Sequence, residues 1–225
     1  MFSSVHKCDK NLECNKYLFW GLVAIELFMS FSFLGYVHIA PISLTFVYIP
    51  VLVAGCVLGP RESMIIGIIF GMTSMWKASA FYIGAGDAIF SPVMRGKPAA
   101  SILLSTGARA VFGLLIGLMY RVAKWSRHPL PGIIIVTSIG RSVHTFLVYL
   151  FMQIFFPEAG FTVANTLEDG MRADYIPFVL IADVIVVFCY IAVKSDYVKN
   201  FFSRIETIDR VNDISPHYKH RLTVM

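Results

Sequence analysis

Charge is what this chain is short of. Asp, Glu, Lys and Arg make up 15% of its 225 residues, against about 25% in a soluble globular domain. Hydrophobic residues account for 57% and the mean hydropathy is +0.70, which leaves no room for a water-soluble domain of any size. Cysteine is scarce as well. Cys56 and Cys189 fall inside apolar runs, where a thiol behaves as a small apolar group, and Cys8 and Cys14 stand at a spacing that matches no zinc motif. Neither a metal site nor a disulfide framework is expected. There is no phosphate-binding Walker loop, no nucleophile–base–orienter set and no zinc helix motif. The chain is therefore read as no enzyme, with no cofactor and no ATP site of its own. Internal repeats are missing too, which removes support for a carrier built from inverted halves.

What is present is a series of apolar runs. About 20 predominantly apolar residues cross a bilayer, and six runs qualify, at about 17–37, 44–59, 63–83, 102–123, 132–156 and 175–194. The second is short and carries Pro50 near its middle, so a kink or break is expected there. No small-x-small cleavage pattern closes the first run before Gly35-Tyr36, and it reads as a retained helix rather than a signal peptide. The expectation is an all-α integral membrane protein of six helices in one bundle, multi-pass in the cell membrane. Residues 1–16 form a polar cytoplasmic lead, 17–195 the membrane domain and 196–225 a cytoplasmic tail.

Basic residues set the orientation. With the N-terminus inside, thirteen Lys and Arg fall on the cytoplasmic side, Lys77, Arg95, Lys97 and Arg172 fall outside, and Arg109 and Arg141 lie within spans. Both termini are thus expected in the cytoplasm. The net charge of +5 reflects this sorting and gives no argument for nucleic-acid binding. In the tail, Tyr197, Phe201, Ile205, Ile208 and Val211 recur at helical spacing among basic residues, as in an amphipathic helix on the inner membrane face or against a partner. The external stretch 84–101 is long for a connector and rich in Gly and Pro, as lids and binding loops are. A second external stretch, 157–174, carries Glu158, Glu168, Asp169 and Asp174.

Two kinds of residue inside the spans need a reason. Gly55/Gly59, Gly67/Gly71 and Gly113/Gly117 are pairs four apart, each on one helix face, where small residues let another backbone approach. Packing within one bundle is the main expectation, an oligomer interface the lesser. Intramembrane polarity is confined to Glu26, Thr45, Tyr48, Arg109, Arg141, His144, Thr145 and Asp183, and such groups face a bundle interior or cavity. At 1.5 Å per residue, Arg109, His144 and Asp183 fall about 10–15 Å below the outer surface. Thr145 shares their level; Arg141 and Glu26 are expected deeper. Either these side chains converge on an outward-facing pocket, or Arg109–Asp183 and Arg141–Glu26 are ion pairs that hold helices together.

The stretch 34–92 has a particular order of small and helix-breaking residues: Leu34-Gly35-Tyr36, Pro41-Ile42-Ser43, Thr45, Ile49-Pro50, Gly59-Pro60, Gly67, Phe70-Gly71, Thr73-Ser74 and Phe90-Ser91-Pro92. This order, with the segment TGARAVFGLLIG around Arg109, resembles the substrate-binding S components of energy-coupling-factor vitamin transporters, nearest the pantothenate-type branch. The likeness covers about residues 20–195. It implies a six-helix membrane subunit that binds a vitamin from outside under a loop lid. Such a subunit then topples in the membrane on a transmembrane coupling protein and two cytoplasmic ATPases, which use the ATP.

Carried over by position, Tyr36, Thr45 and Tyr48 belong to the wall of the first loop and second helix, Ser91 to the lid, and Arg109 to the fourth-helix wall. Arg141, His144, Thr145 and Asp183 complete the expected binding set. His144-Thr145 stands where such proteins often have Asn-Thr, and Asp183 where Glu is common. On the first helix Gly21, Ala24 and Ser32 fall on one side and are the expected partner-docking face, although Phe28 interrupts the usual Ala-x-x-x-Ala. Arg with Thr, Tyr, Ser and His suits pantothenate, which has a carboxylate, hydroxyls and an amide; it suits other small anions equally. The rival readings are a non-transport membrane scaffold of the rod-shape-determining type and a solitary proton-coupled carrier using Glu26 or Asp183.

Overall fold

The computed structural model describes residues 2–32, 36–39, 42–81, 87–94, 96–160, 162–164 and 176–195, and of residues 2–14, 36–39, 42–45 and 87 the backbone alone. The described residues form six helices: α1 Phe2–Phe31, α2 Tyr48–Val57, α3 Pro60–Ala80, α4 Pro98–Ala123, α5 Pro129–Phe155 and α6 Ile176–Lys194. Between α1 and α2 two short strands, β1 Tyr36–Ile39 and β2 Ile42–Thr45, pair antiparallel with Tyr36 opposite Thr45. α4, α5 and α6 are each long and apolar enough to cross a membrane. α1 and α3 have the length, at 30 and 21 residues, with more polar residues along them.

The prolines explain where the helices begin. Pro60, Pro98 and Pro129 open α3, α4 and α5, and Pro177 is the second residue of α6. In a first helical turn the missing N–H has no intrahelical partner to lose, and the fixed φ already suits the helix. The same rule corrects the expectation for Pro50. It is the third residue of α2, so it starts a helix rather than breaking one. Gly59 precedes Pro60 at φ 139°, a backbone that L residues rarely adopt, and this turns α2 tightly into α3.

Other boundaries also move. Thr45 lies in β2 and not in the second helix, because β-branched Val37, Ile39, Ile42 and Thr45 favour the extended chain. The hairpin is a departure from an all-α architecture. α1 begins at Phe2 and runs unbroken to Phe31, so the described part of the expected lead is helical. The stretch 84–101 contains a 3₁₀ turn at Asp87–Phe90 and the first turn of α4. The tail 196–225, with its expected amphipathic helix, and Arg95, Glu168, Asp169, Arg172 and Asp174 lie outside the described residues.

α2 is the centre of the bundle. It packs against each of the other five helices, and every residue from Tyr48 to Cys56 is buried. A helix that is apolar all round belongs in a core, which accounts for a run of only ten residues. At 1.5 Å per residue it is about 15 Å long, half a hydrocarbon thickness.

Glycine fixes how closely α3 and α4 approach. A Cβ on Gly67 would drive into the carbonyl oxygen of Arg109, and one on Gly113 into that of Ser63; on Gly71 it would lie 2.5 Å from Thr106 Cα. The glycine pairs thus serve packing inside the bundle. Outside, Lys97 bonds Glu158 at 2.8 Å, joining the entry of α4 to the turn after α5. Both side chains are about half exposed, so Lys97→Ala should shift the thermal midpoint little, in line with about 0–1 kcal/mol for a surface pair. A drop comparable to that of a core substitution would contradict this.

Candidate functional site

Arg109 is the hub of the polar layer. Immediately before it, α4 relaxes into a π turn at Leu103–Gly107, a distortion that recurs at functional sites. Gly71 of α3 lies against this turn, with room for no Cβ beside Ser105 and Thr106. The buried guanidinium is then aimed by two bonds: Nη1 donates to the Ser105 carbonyl at 2.8 Å and Nη2 to Ser74 Oγ at 3.0 Å. The Phe70 and Phe90 rings lie 4.7 and 5.3 Å from its central carbon, within cation–π range.

The 3₁₀ turn Asp87–Phe90 is fastened beside it. Ser105 Oγ donates to the Phe90 carbonyl at 3.0 Å, and Ser79 and Ser91 hydroxyls lie 2.9 Å apart. Ser79 gives its proton to the Met75 carbonyl, so Ser91 must donate to Ser79. Ser91 also accepts from the Val93 amide at 3.4 Å. Its fully buried hydroxyl therefore holds the turn that carries Phe90 over Arg109.

From Arg109 the layer continues through aromatic rings to α5. His144 stacks on Phe70 at 5.6 Å and meets the edge of Phe112 at 5.1 Å. Arg109 and Arg141 both act on it electrostatically, and its Nε2 has no hydrogen-bond partner among the described residues. Tyr48, the first residue of α2, lies within electrostatic reach of Arg141 and Asp183. Asp183 accepts from Ser138 Oγ at 2.9 Å through Oδ2, while Oδ1 has no partner among the described residues. On α6 it flanks the buried stripe Ala182, Val186 and Tyr190.

Neither expected ion pair forms. The contact of Asp183 is Ser138, not Arg109, and both oxygens of Glu26 are without partners among the described residues. Glu26 is also not deeper than the rest. α1 ends at Phe31, which leaves Glu26 about 7.5 Å from that end, and it is within electrostatic reach of Arg109.

Of the residues expected at the site, Tyr48, Arg109, Arg141, His144 and Asp183 are brought together, with Ser91 behind the Phe90 turn. Thr145 is half-buried beside His144. Tyr36 and Thr45 are cross-strand partners in the hairpin that leads into α2, and their side chains lie outside the described part. On α1, Gly21 and Ala24 are exposed and open space surrounds Gly21, whereas Ser32 is half-buried and donates to the Met29 carbonyl at 3.3 Å. Sequence reasoning missed Phe70, Ser74, Phe90 and Ser105 as the shell around Arg109. The only signal was positional: Phe70 and Ser74 are one turn apart on α3 and share the face of Gly67 and Gly71.

Guanidinium, imidazole and carboxyl groups thus lie inside the bundle, where polar groups of a membrane protein face an interior or a cavity. The family described as ECF transporter, substrate-specific component matches residues 22–194. The chain belongs to that family. Its members are membrane-embedded substrate-binding components of transporters that work with a coupling module and ATPases; this is not an enzyme family. No curated protein matches the chain.

Proposed function

We propose that this S component captures a water-soluble vitamin, pantothenate in the first instance, from outside the cell and with high affinity. It delivers the vitamin by toppling on a shared coupling module, whose two ATPases hydrolyse the ATP; the subunit itself binds no ATP or other cofactor. Six segments cross the cell membrane in this reading, with both termini cytoplasmic. Tyr36, Thr45, Tyr48, Ser91, Arg109, Arg141, His144, Thr145 and Asp183 bind the ligand, and Gly21, Ala24 and Ser32 dock the coupling protein.

The observation that carries the reading is the layer around Arg109, in which His144 Nε2 and Asp183 Oδ1 have no hydrogen-bond partner among the described residues. Buried polar atoms without partners are costly, and a ligand with complementary groups would satisfy them. The exposed aromatic cluster of Phe31, Trp76 and Phe81, with ring centroids 5.0 and 5.8 Å apart, supports an outer membrane boundary just above this layer.

The test is thermal unfolding of the detergent-purified protein with pantothenate, thiamine, pyridoxine, biotin and riboflavin in turn. A vitamin at 100 times its dissociation constant should stabilise the fold by about 2.7 kcal/mol. A shift with pantothenate supports the whole reading, and a shift with another vitamin keeps the binding role while replacing the substrate. If folded protein responded to none of them, vitamin capture would be the wrong function.

A further inference from the structure

Glu26 is fully buried, and neither of its carboxyl oxygens has a hydrogen-bond or ion-pair partner among the described residues. It faces the bundle: Leu22, Glu26 and Ser30 follow one another at four-residue spacing and all three are buried. Ser30, one turn further along α1, is committed elsewhere. Its Oγ lies 3.0 Å from Thr73 Oγ1, and because Thr73 donates to the Phe70 carbonyl, the Ser30 proton goes to Thr73. Arg109 reaches Glu26 only through its field. A buried carboxyl of this kind is a cost that leucine at the same position would avoid.

We propose that Glu26 is a ligand-contacting residue that accepts hydrogen bonds from O–H or N–H groups of the transported molecule. Ionised or protonated, a carboxyl keeps at least one accepting oxygen. This inference rests on the binding role proposed above and narrows the ligand class. The molecule is bifunctional: an acidic or carbonyl end held at Arg109, and a hydroxyl- or amino-bearing part that meets Glu26. Asp183 repeats the demand, since Oδ1 also lacks a donor among the described residues. A plain carboxylate with no donors would satisfy Arg109 and leave both acids unmet.

The experiment compares full-length wild type, Glu26→Gln and Glu26→Leu in detergent, by calorimetric titration with whichever vitamin of the panel stabilises wild type. Butyrate serves as an acid without O–H or N–H donors. Glu26→Leu, which keeps no acceptor, should bind the vitamin at least about tenfold more weakly, and Glu26→Gln, which keeps one accepting oxygen, should fall between it and wild type. The thermal midpoint without ligand should hold or rise in both, because each removes a buried acid without a partner. Butyrate should not compete with the vitamin on wild type. Equal affinity in all three proteins would overturn the inference and leave the binding role standing. So would effective competition by butyrate, or failure of both variants to fold, which would make Glu26 structural. No response of wild type to any vitamin would overturn the binding role and this inference together.

Discussion

Leucine in place of Gly67 is expected to leave little folded protein, and even Gly67→Ala should lower stability by about 1–3 kcal/mol, the usual cost of forcing atoms into a packed interior. The reason is backbone against backbone. A Cβ at Gly67 would drive into the carbonyl oxygen of Arg109, and its carbonyl carbon is 3.1 Å away, so no side-chain rotation relieves the clash. α3 and α4 would have to separate. Gly113 meets Ser63 and Gly117 meets Pro60 in the same seam, so separation at one point strains the others. Gly21→Ala is the control, because its Cβ would find nothing within 4 Å. Thermal unfolding of detergent-solubilised variants reads both. A Gly67→Ala midpoint equal to wild type would mean that the seam is looser than the geometry requires. The same substitution should also weaken ligand binding, since the displaced carbonyl belongs to the residue at the centre of the site.

Arg109→Ala is expected to reduce vitamin affinity at least a hundredfold, and Arg109→Lys at least tenfold. Hydrogen bonds to a charged group contribute about 1.5–3 kcal/mol each, and about 1.4 kcal/mol is a factor of ten. Lysine keeps the charge but not the fork that engages Ser105 and Ser74 together at 2.8 and 3.0 Å, so it cannot reproduce the aim of the guanidinium. Titration calorimetry on each variant measures the loss. Unchanged affinity in both would remove Arg109 from the binding site. A lowered thermal midpoint with intact affinity would make it a structural hub instead.

The two predictions differ in how far the sequence anticipates them. The glycine pairs were legible because four-residue spacing puts both members on one helix face whatever the tertiary fold. Which backbone they meet was not legible. Arg109, His144 and Asp183 were expected at one level because helical rise converts residue number into depth. The same arithmetic failed for Glu26: it assumed that α1 ran to residue 37, and the helix stops at Phe31. It failed for Thr45 as well. An apolar run followed by a helix looks like helix throughout until the chain finds a cross-strand partner.

Composition and periodicity by themselves determined that the chain is a membrane-type bundle, where most of its helices lie, and that a few polar residues are held inside it. These are local properties, set by hydrophobicity, proline positions and the 3.6-residue turn. The tertiary structure alone decided that α2 is a buried central plug rather than a lipid-facing span. It decided too that Phe70, Ser74 and Phe90 enclose Arg109, and that Asp183 meets Ser138 rather than an arginine. Each of those outcomes depends on which helices pack together and at what height. Such choices arise between elements distant in sequence, and no spacing along a single helix records them.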